Sequence, residues 1–93
     1  FAACDLIAIG AMRALKEHNI SIPEQVSVVG FDDIAIAALT SPPLTTVKQD
    51  TKLAGELLVN TLLDLINGLE VSTTMIEPEV ILRDSCGAKA TIT

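Results

Sequence analysis

The apolar and polar positions in the first third of the chain predict a strand, a helix and a second strand. Residues 5–18 are Ala-rich, with an acid in the first turn, cations in the last turn and Asn19 as a candidate left-handed cap, which is typical of a helix. Residues 26–31 form a Val-rich apolar run of strand length, as in strands that are buried on both faces. With a strand tail at residues 1–3, the pattern predicts a right-handed βαβ unit and an α/β fold with a parallel sheet.

The rest of the chain predicts shorter elements around one long helix. Residues 33–39 predict a short helix that Pro42 and Pro43 stop, and residues 44–49 are β-rich. Apolar pairs at helical spacing predict a long helix over residues 51–66, with Asp50 as its N-cap and Asn67-Gly68 as its end. Residues 73–76 and 80–82 predict short strands, and residues 87–93 predict a loose tail.

Composition limits the possible functions. The 93 residues allow one domain at most, and a hydrophobic content of 49% with a mean hydropathy of +0.52 indicates surface that something else covers. A net charge of −6 argues against a nucleic-acid surface in this segment. No apolar stretch approaches the roughly 20 residues that span a bilayer, so no membrane partner is expected. Two cysteines without metal spacing indicate reduced thiols in a cytoplasmic protein.

One face of the first helix is unusual for a solvent-exposed surface. Helix geometry places Arg13, Lys16 and Glu17 on one polar face, and that face continues back through Ile9 and Leu6. A solvent face should not become apolar there. We therefore expect an interface with another chain or lobe, with ordinary core packing as the alternative.

Short acidic groups follow both predicted strands, at the edge where open α/β sheets bind ligands. Cys4 and Asp5 follow the first strand, and Asp32 and Asp33 follow the second. A carboxylate suits the hydroxyls of a sugar or the N–H groups of a base. For Asp5 and Asp33 we favour a role at a helix start over ligand contact. For Asp32, directly at the strand tip, we favour ligand contact.

Catalytic and metal-binding chemistry find little support. His18 is the single histidine and falls at a helix end, and no nucleophile elbow, Walker A loop or dinucleotide fingerprint occurs. No spacing supports a metal site from the acidic residues. Gly30 is better explained by a close approach of backbone or ligand. We therefore expect no catalytic residue, no metal, no cofactor and no enzymatic activity.

Three blocks in order carry a family resemblance. They are C-D-L-I-A-I-G-A-M-R-A-L at residues 4–15, I-P-E-Q-V-S-V-V-G-F-D-D at residues 22–33 and P-P-L-T-T-V-K-Q-D at residues 42–50. The chain closely resembles the lactose/galactose-repressor (LacI/GalR) family of bacterial transcription regulators. Residues 55–68 and 80–85 are similar to the last helix and last strand of the same family.

The resemblance implies a periplasmic-binding-protein-like (type I) core. Residues 1–50 would belong to its second lobe, residues 51–67 would pack on the first lobe, residues 73–86 would hold the final strands, and residues 87–93 would be a tail. A DNA-binding headpiece would lie outside this chain. The implied function is sensing of a sugar or nucleobase-like effector by a dimer or higher homo-oligomer, with lobe closure changing operator affinity. The alternatives are a periplasmic sugar-binding protein and an α/β enzyme that uses the Asp pair.

The resemblance also assigns residues. Asp32 matches the position that hydrogen-bonds the effector, with Phe31 beside it, and Cys4 falls where many members carry an Asn or Ser that touches ligand. A thiol is a poor hydrogen-bonding group, so that contact would differ here. Asp5 matches an acidic position of structural role. The implied dimer-interface residues, including the apolar face of the first helix, are Leu6, Ile9, Met12, Arg13, Ala38, Leu39 and Thr40.

Overall fold

A computed structural model describes residues 1–87 of the chain. Its helices are α1 (Asp5–Glu17), a 3₁₀ helix (Ala35–Leu39) and α2 (Thr51–Ile66), and its strands are β1 (Thr46–Lys48) and β2 (Glu79–Ile81). The chain divides into two compact units. The first comprises Phe1–Lys48 and the segment from Glu79 onward, and the second comprises Gln49–Pro78.

Helix α1 forms as its sequence predicts and supplies one side of the core of the first unit. It ends one residue earlier than expected, because His18 is its C-cap, and Asn19 then takes a left-handed φ of 59°. The buried cluster joins two residues of α1 to the extended segments and to the 3₁₀ helix. Its members are Ala8, Met12, Ile22, Val28, Ala37 and Leu44.

The strands predicted at residues 1–3 and 26–31 do not form, and these two segments are joined only by sheet-like hydrogen bonds. Residues 26–31 lie between two neighbours, since the Ala2 amide donates to the Val29 carbonyl over 2.8 Å and the Gly30 amide donates to the Thr45 carbonyl over 2.9 Å. Val29 and Thr45 form an isolated parallel bridge. On the far side β1 pairs antiparallel with β2, with Thr46 opposite Ile81.

Besides these two strands, three sequence predictions need correction. The helix expected over residues 33–39 is a 3₁₀ turn that starts two residues later, because Asp33 takes a left-handed φ that a helix cannot include. The strand expected over residues 73–76 does not form, since Gln49–Pro78 contains no strand to pair with it. The last strand begins at Glu79, one residue early. Of the predicted tail, residues 88–93 lie outside the described residues.

The second unit is built around α2, whose bounds match the prediction. The Asp50 carboxylate accepts a hydrogen bond of 3.0 Å from the Leu53 amide, which confirms it as the N-cap. Asn67 is the C-cap, and Gly68 takes the left-handed φ of 74° that favours glycine. No residue of α2 is buried, although its apolar positions keep helical spacing. Among residues 1–87, no helix is long and apolar enough to cross a lipid bilayer.

Candidate functional site

The ends of three extended segments meet at one edge of the first unit. The amide of Asp5, the first residue of α1, donates to the Phe31 carbonyl over 2.9 Å, and the Asp32 amide donates to the Val47 carbonyl over 2.8 Å. This is the edge at which open α/β sheets bind ligands. The Cys4-Asp5 pair and the Asp32-Asp33 pair, which the sequence places after separate predicted strands, therefore lie at one edge.

Asp32 and Asp33 form a strained turn at this edge. Their φ angles are 117° and 54°, so two successive residues with side chains lie in the region that favours glycine. A residue in such a conformation destabilises the fold by on the order of 1–3 kcal/mol, and the conformation is kept only where contacts with the surrounding structure stabilise it. Strained backbone of this kind concentrates at functional sites.

Three successive backbone amides of the turn are tied to neighbouring segments. The hydrogen bonds run from Asp32 N to Val47 O over 2.8 Å, from Asp33 N to Thr46 Oγ1 over 3.3 Å, and from Ile34 N to Asp5 Oδ2 over 2.8 Å. Two of the three acceptors come from β1, and the third comes from the start of α1. The turn is therefore fixed from both sides by segments that are far away in sequence.

The two carboxylates of the turn differ sharply. Asp33 forms an ion pair of 2.8 Å with Arg83, and both side chains are mostly buried, at 16% and 19% exposure. The prediction that Asp33 starts a helix is therefore wrong. The N-cap of the 3₁₀ helix is Ile34, and its side chain forms no capping hydrogen bond. The Asp32 side chain is exposed and has no hydrogen-bond or ion-pair partner among residues 1–87.

Sequence reasoning missed Arg83. Its guanidinium donates to the Leu44 carbonyl over 2.9 Å as well as to Asp33, and its amide donates to Thr45 Oγ1 over 2.9 Å. Arg83 lies 50 positions from Asp33, so no local spacing connects them. The available signal was a single arginine after the last predicted strand of an acidic chain, where a mostly buried cation requires an anionic partner.

Asp5 has the structural role that the resemblance implies. It is 1% exposed and accepts hydrogen bonds from Thr46 Oγ1 over 2.6 Å and from the Ile34 amide over 2.8 Å. Gly30 makes room for this carboxylate, because a β-carbon at Gly30 would overlap Asp5 Oδ1. The expected close approach at Gly30 is therefore made by the Asp5 side chain.

Cys4 and Phe31 lie at the same edge as Asp32. Cys4 is the N-cap of α1, is half-buried and makes no side-chain cap. Phe31 is half-buried, and its carbonyl accepts from Asp5. The structure thus places the three residues predicted to meet ligand at one edge of the first unit, and their contact with a ligand stays a prediction.

His18 and Cys86 lie apart, at the end of α1 and after β2. A ring nitrogen of His18 lies 2.8 Å from the Ala14 carbonyl on the exposed end of α1. Within the described part of the chain, no three His, Cys, Asp or Glu side chains are grouped so that they could hold a metal ion. Cys86 is buried, with its sulfur 3.3 Å from Thr45 Oγ1.

Four of the predicted interface residues, on α1 and directly after the 3₁₀ helix, line one concave surface: Ile9, Met12, Arg13 and Thr40. A cavity of about 230 Å³ opens there. Leu6 and Leu39 are 70% and 81% exposed, whereas Met12 is only 3% exposed and belongs mainly to the core. The interface role of these residues stays a prediction. The cavity is lined by Ile9, Met12, Arg13, Lys16, Thr40 and Ser41.

Known proteins share this sequence pattern. Residues 1–86 match the family model of the periplasmic binding protein-like domain. The HTH-type transcriptional regulator MalR of Streptomyces coelicolor is 42% identical over 85 aligned positions, and the match covers 89% of this chain and 25% of that protein. The chain spans about a quarter of the length of the curated relatives that it matches first.

Solved structures share the fold. A lac repressor dimer bound to operator and the anti-inducer ONPF is 37% identical with a TM-score of 0.83, over 91% of this chain and 31% of that chain. The complex of the transcriptional regulator CelR with cellobiose is also 37% identical with a TM-score of 0.83, over 91% and 27%. The predicted periplasmic-binding-protein-like α/β fold is confirmed. The chain therefore belongs to the periplasmic binding protein-like domain family and, within it, to the LacI/GalR family.

Proposed function

We propose that this chain is the effector-sensing and dimerising part of a bacterial DNA-binding transcription regulator, and that the effector is a sugar. The observation that carries the proposal is the Asp32 carboxylate, exposed and without a protein partner on a turn whose amides are all tied down. A preorganised acceptor at a strand edge suits a neutral ligand with several hydroxyls. The solved relative with cellobiose bound, at 37% identity, supports this ligand class.

The neighbours of Asp32 shape the proposed contact. Phe31 offers an apolar ring surface beside the carboxylate, and Cys4 offers a thiol, which forms only weak hydrogen bonds. Polar recognition on this side of the ligand therefore rests mainly on Asp32. The remaining hydrogen bonds to the sugar would come from the other lobe of the protein.

The proposed mechanism is closure of the protein's two lobes around the sugar. The chain leaves the first compact unit after Lys48 and re-enters it at Glu79, which supports the assignment of residues 51–67 to a different lobe. Sugar that binds the closed state more tightly shifts the equilibrium toward it, and a coupling of about 1–3 kcal/mol to operator affinity is ordinary for such switches. Operator contact would be made in the cytoplasm by a headpiece outside this chain.

The proposed dimer forms through the concave surface on α1 and the 3₁₀ helix. Leu6 on α1 and Leu39 on the 3₁₀ helix offer exposed apolar area, and Arg13, which pairs with Glu17 over 3.3 Å, offers a polar rim. An apolar centre with a charged rim is the usual anatomy of a protein interface. The operator-bound lac repressor dimer, a relative at 37% identity, supports this assembly.

The test begins with a thermal-shift screen of the intact protein against cellobiose, lactose, maltose, D-ribose, D-galactose, adenine and guanine. For any sugar that raises the melting temperature, Asp32→Ala should abolish the sugar-dependent change in operator affinity and leave sugar-free operator affinity within about threefold. Glu24→Ala is the matched control, because Glu24 is an exposed carboxylate of the same unit. A normal induction curve for Asp32→Ala would overturn the ligand role.

The screen and the operator assay also separate the alternatives. Sugar binding without operator binding by the intact protein would favour the periplasmic sugar-binding protein over the regulator. Stabilisation by a nucleobase alone would replace the sugar as the ligand class. Detectable turnover that Asp32→Ala removes would favour an enzyme.

A further inference from the structure

We propose that Arg83 is a positioning residue of the effector site: it holds Asp33 in place and thereby sets the position of the neighbouring Asp32 carboxylate. The inference rests on the proposed function, since it takes Asp32 as the effector contact. Arg83 itself does not face the proposed ligand edge as a free group, because its guanidinium is engaged by Asp33 and by the Leu44 carbonyl.

Among the three amides of the turn, that of Asp33 makes the longest hydrogen bond. Its amide donates to Thr46 Oγ1 over 3.3 Å, which is longer than the 2.8 Å bonds of the Asp32 and Ile34 amides. Asp33 also takes a left-handed φ that its own preference does not favour. The 2.8 Å ion pair with Arg83 is therefore the strongest single contact that keeps Asp33 in this conformation.

Arg83 can hold Asp33 because it is itself fixed at two other points. Its amide donates to Thr45 Oγ1 over 2.9 Å, and its second guanidinium nitrogen donates to the Leu44 carbonyl over 2.9 Å. The cation is thus anchored to the segment that enters β1 and aimed at Asp33. A fixed charge orients its partner without the entropy cost of ordering a free side chain.

Loss of the ion pair should release Asp33 from the left-handed region. A change in φ at Asp33 is transmitted directly to the preceding peptide and so to the orientation of the Asp32 carboxylate. A shift of about 1 Å at a binding group is enough to weaken recognition strongly. The expected consequence is weaker sugar binding, although Arg83 makes no contact with the sugar.

The central variants are Arg83→Met, which removes both guanidinium contacts, and Arg83→Lys, which keeps the charge but cannot donate in both directions with the same geometry. Lys52→Met is the control for loss of a cation, because Lys52 is exposed on α2. Ala14→Gly is the control for loss of stability, because Ala14 is exposed within α1 and a glycine there weakens the helix alone. All variants are made in the full-length protein.

Sugar affinity is measured by calorimetry with whichever of cellobiose, lactose, maltose, D-ribose or D-galactose binds the unaltered protein. Arg83→Met should weaken binding at least tenfold, Arg83→Lys should recover part of that loss, and both controls should bind within twofold of the unaltered protein. Sugar-free operator affinity should change by less than threefold. Equal weakening in Arg83→Met and in Ala14→Gly would show a merely structural role and overturn the inference.

Amide hydrogen exchange provides a second readout that needs no ligand. In the sugar-free protein, Arg83→Met should speed exchange at Asp32, Asp33 and Ile34 at least fivefold relative to Lys52→Met. Unchanged exchange rates at these three amides would overturn the inference. This holds even if no sugar in the panel binds, because the measurement uses the sugar-free protein. If Asp32→Ala abolishes the sugar response while Arg83→Met binds sugar normally, the positioning role alone fails. If both variants respond normally, the proposed function itself fails.

Discussion

The buried Thr46 hydroxyl donates a hydrogen bond of 2.6 Å to Asp5 Oδ1, which joins residues 41 positions apart. The same hydroxyl accepts from the Asp33 amide, and the same carboxylate accepts from the Ile34 amide. Two side chains therefore tie the start of α1, β1 and the Asp32–Asp33 turn into one network. A buried polar group that loses its hydrogen-bond partner destabilises the fold, so the contribution of each residue in this network can be measured by substitution.

Asp5→Asn should destabilise the protein by about 2–3 kcal/mol. The amide nitrogen of Asn would replace one of the two acceptor oxygens, so either the Thr46 hydroxyl or the Ile34 amide would lose its buried acceptor. Denaturant unfolding measures the change. Asp64→Asn, an exposed position on α2, should stay within about 0.5 kcal/mol. Equal effects of the two substitutions would contradict the network.

Gly30→Ala should destabilise the protein by about 1–3 kcal/mol, because its β-carbon would displace the Asp5 carboxylate or the Leu44 side chain. Gly10→Ala is the matched comparison. A β-carbon at Gly10 meets nothing within 4 Å, so alanine in this helix interior should stabilise by about 0.5–1 kcal/mol. Thermal melting should thus shift in opposite directions, and a neutral Gly30→Ala would argue against the close approach.

Leu39→Asp should weaken dimerisation of the intact protein at least tenfold. Burying a leucine side chain is worth about 1.5–3 kcal/mol, and a charge at the same position adds a desolvation cost. Sedimentation velocity across a concentration series measures the dissociation constant. Met75→Asp replaces an equally exposed apolar residue of Gln49–Pro78 and should leave the dimer unchanged. A stable dimer of Leu39→Asp would place the interface elsewhere.

The 93-residue chain expressed alone should self-associate. No residue of α2 is buried, and Leu58, Leu62 and Leu65 lie on one side of it with more than half of each side chain exposed. Replacing these three leucines by lysine should reduce the association seen by sedimentation. A cooperatively unfolding monomer of the unaltered chain would contradict this expectation.

Most of the local structure could be read from the sequence. The bounds of α2 and its cap at Asp50 were predicted correctly, because capping and helical spacing are short-range effects. The helix α1 and the left-handed Asn19 follow from equally local signals. The family blocks placed these elements in the right fold, since the order and spacing of motifs are themselves a property of the sequence.

The errors occurred where partners are remote. Residues 73–76 have β-rich composition, but a strand requires a second strand beside it, and composition does not say whether one is present. Asp33 looked like a helix-start residue because its neighbours are helix formers. Its carboxylate pairs instead with Arg83, 50 positions later, and no local pattern encodes that distance.

The sequence by itself determined the two α-helices, the family and the place of Asp32 directly after the apolar run of residues 26–31. Only the tertiary structure decided that Asp32 and Asp33 have different roles. Asp33 is held by a mostly buried cation and Asp32 is left exposed, because Arg83, which lies 50 positions from Asp33 in the sequence, reaches the Asp33 carboxylate. Local preference would not select two successive left-handed residues, and the long-range contacts offset that cost.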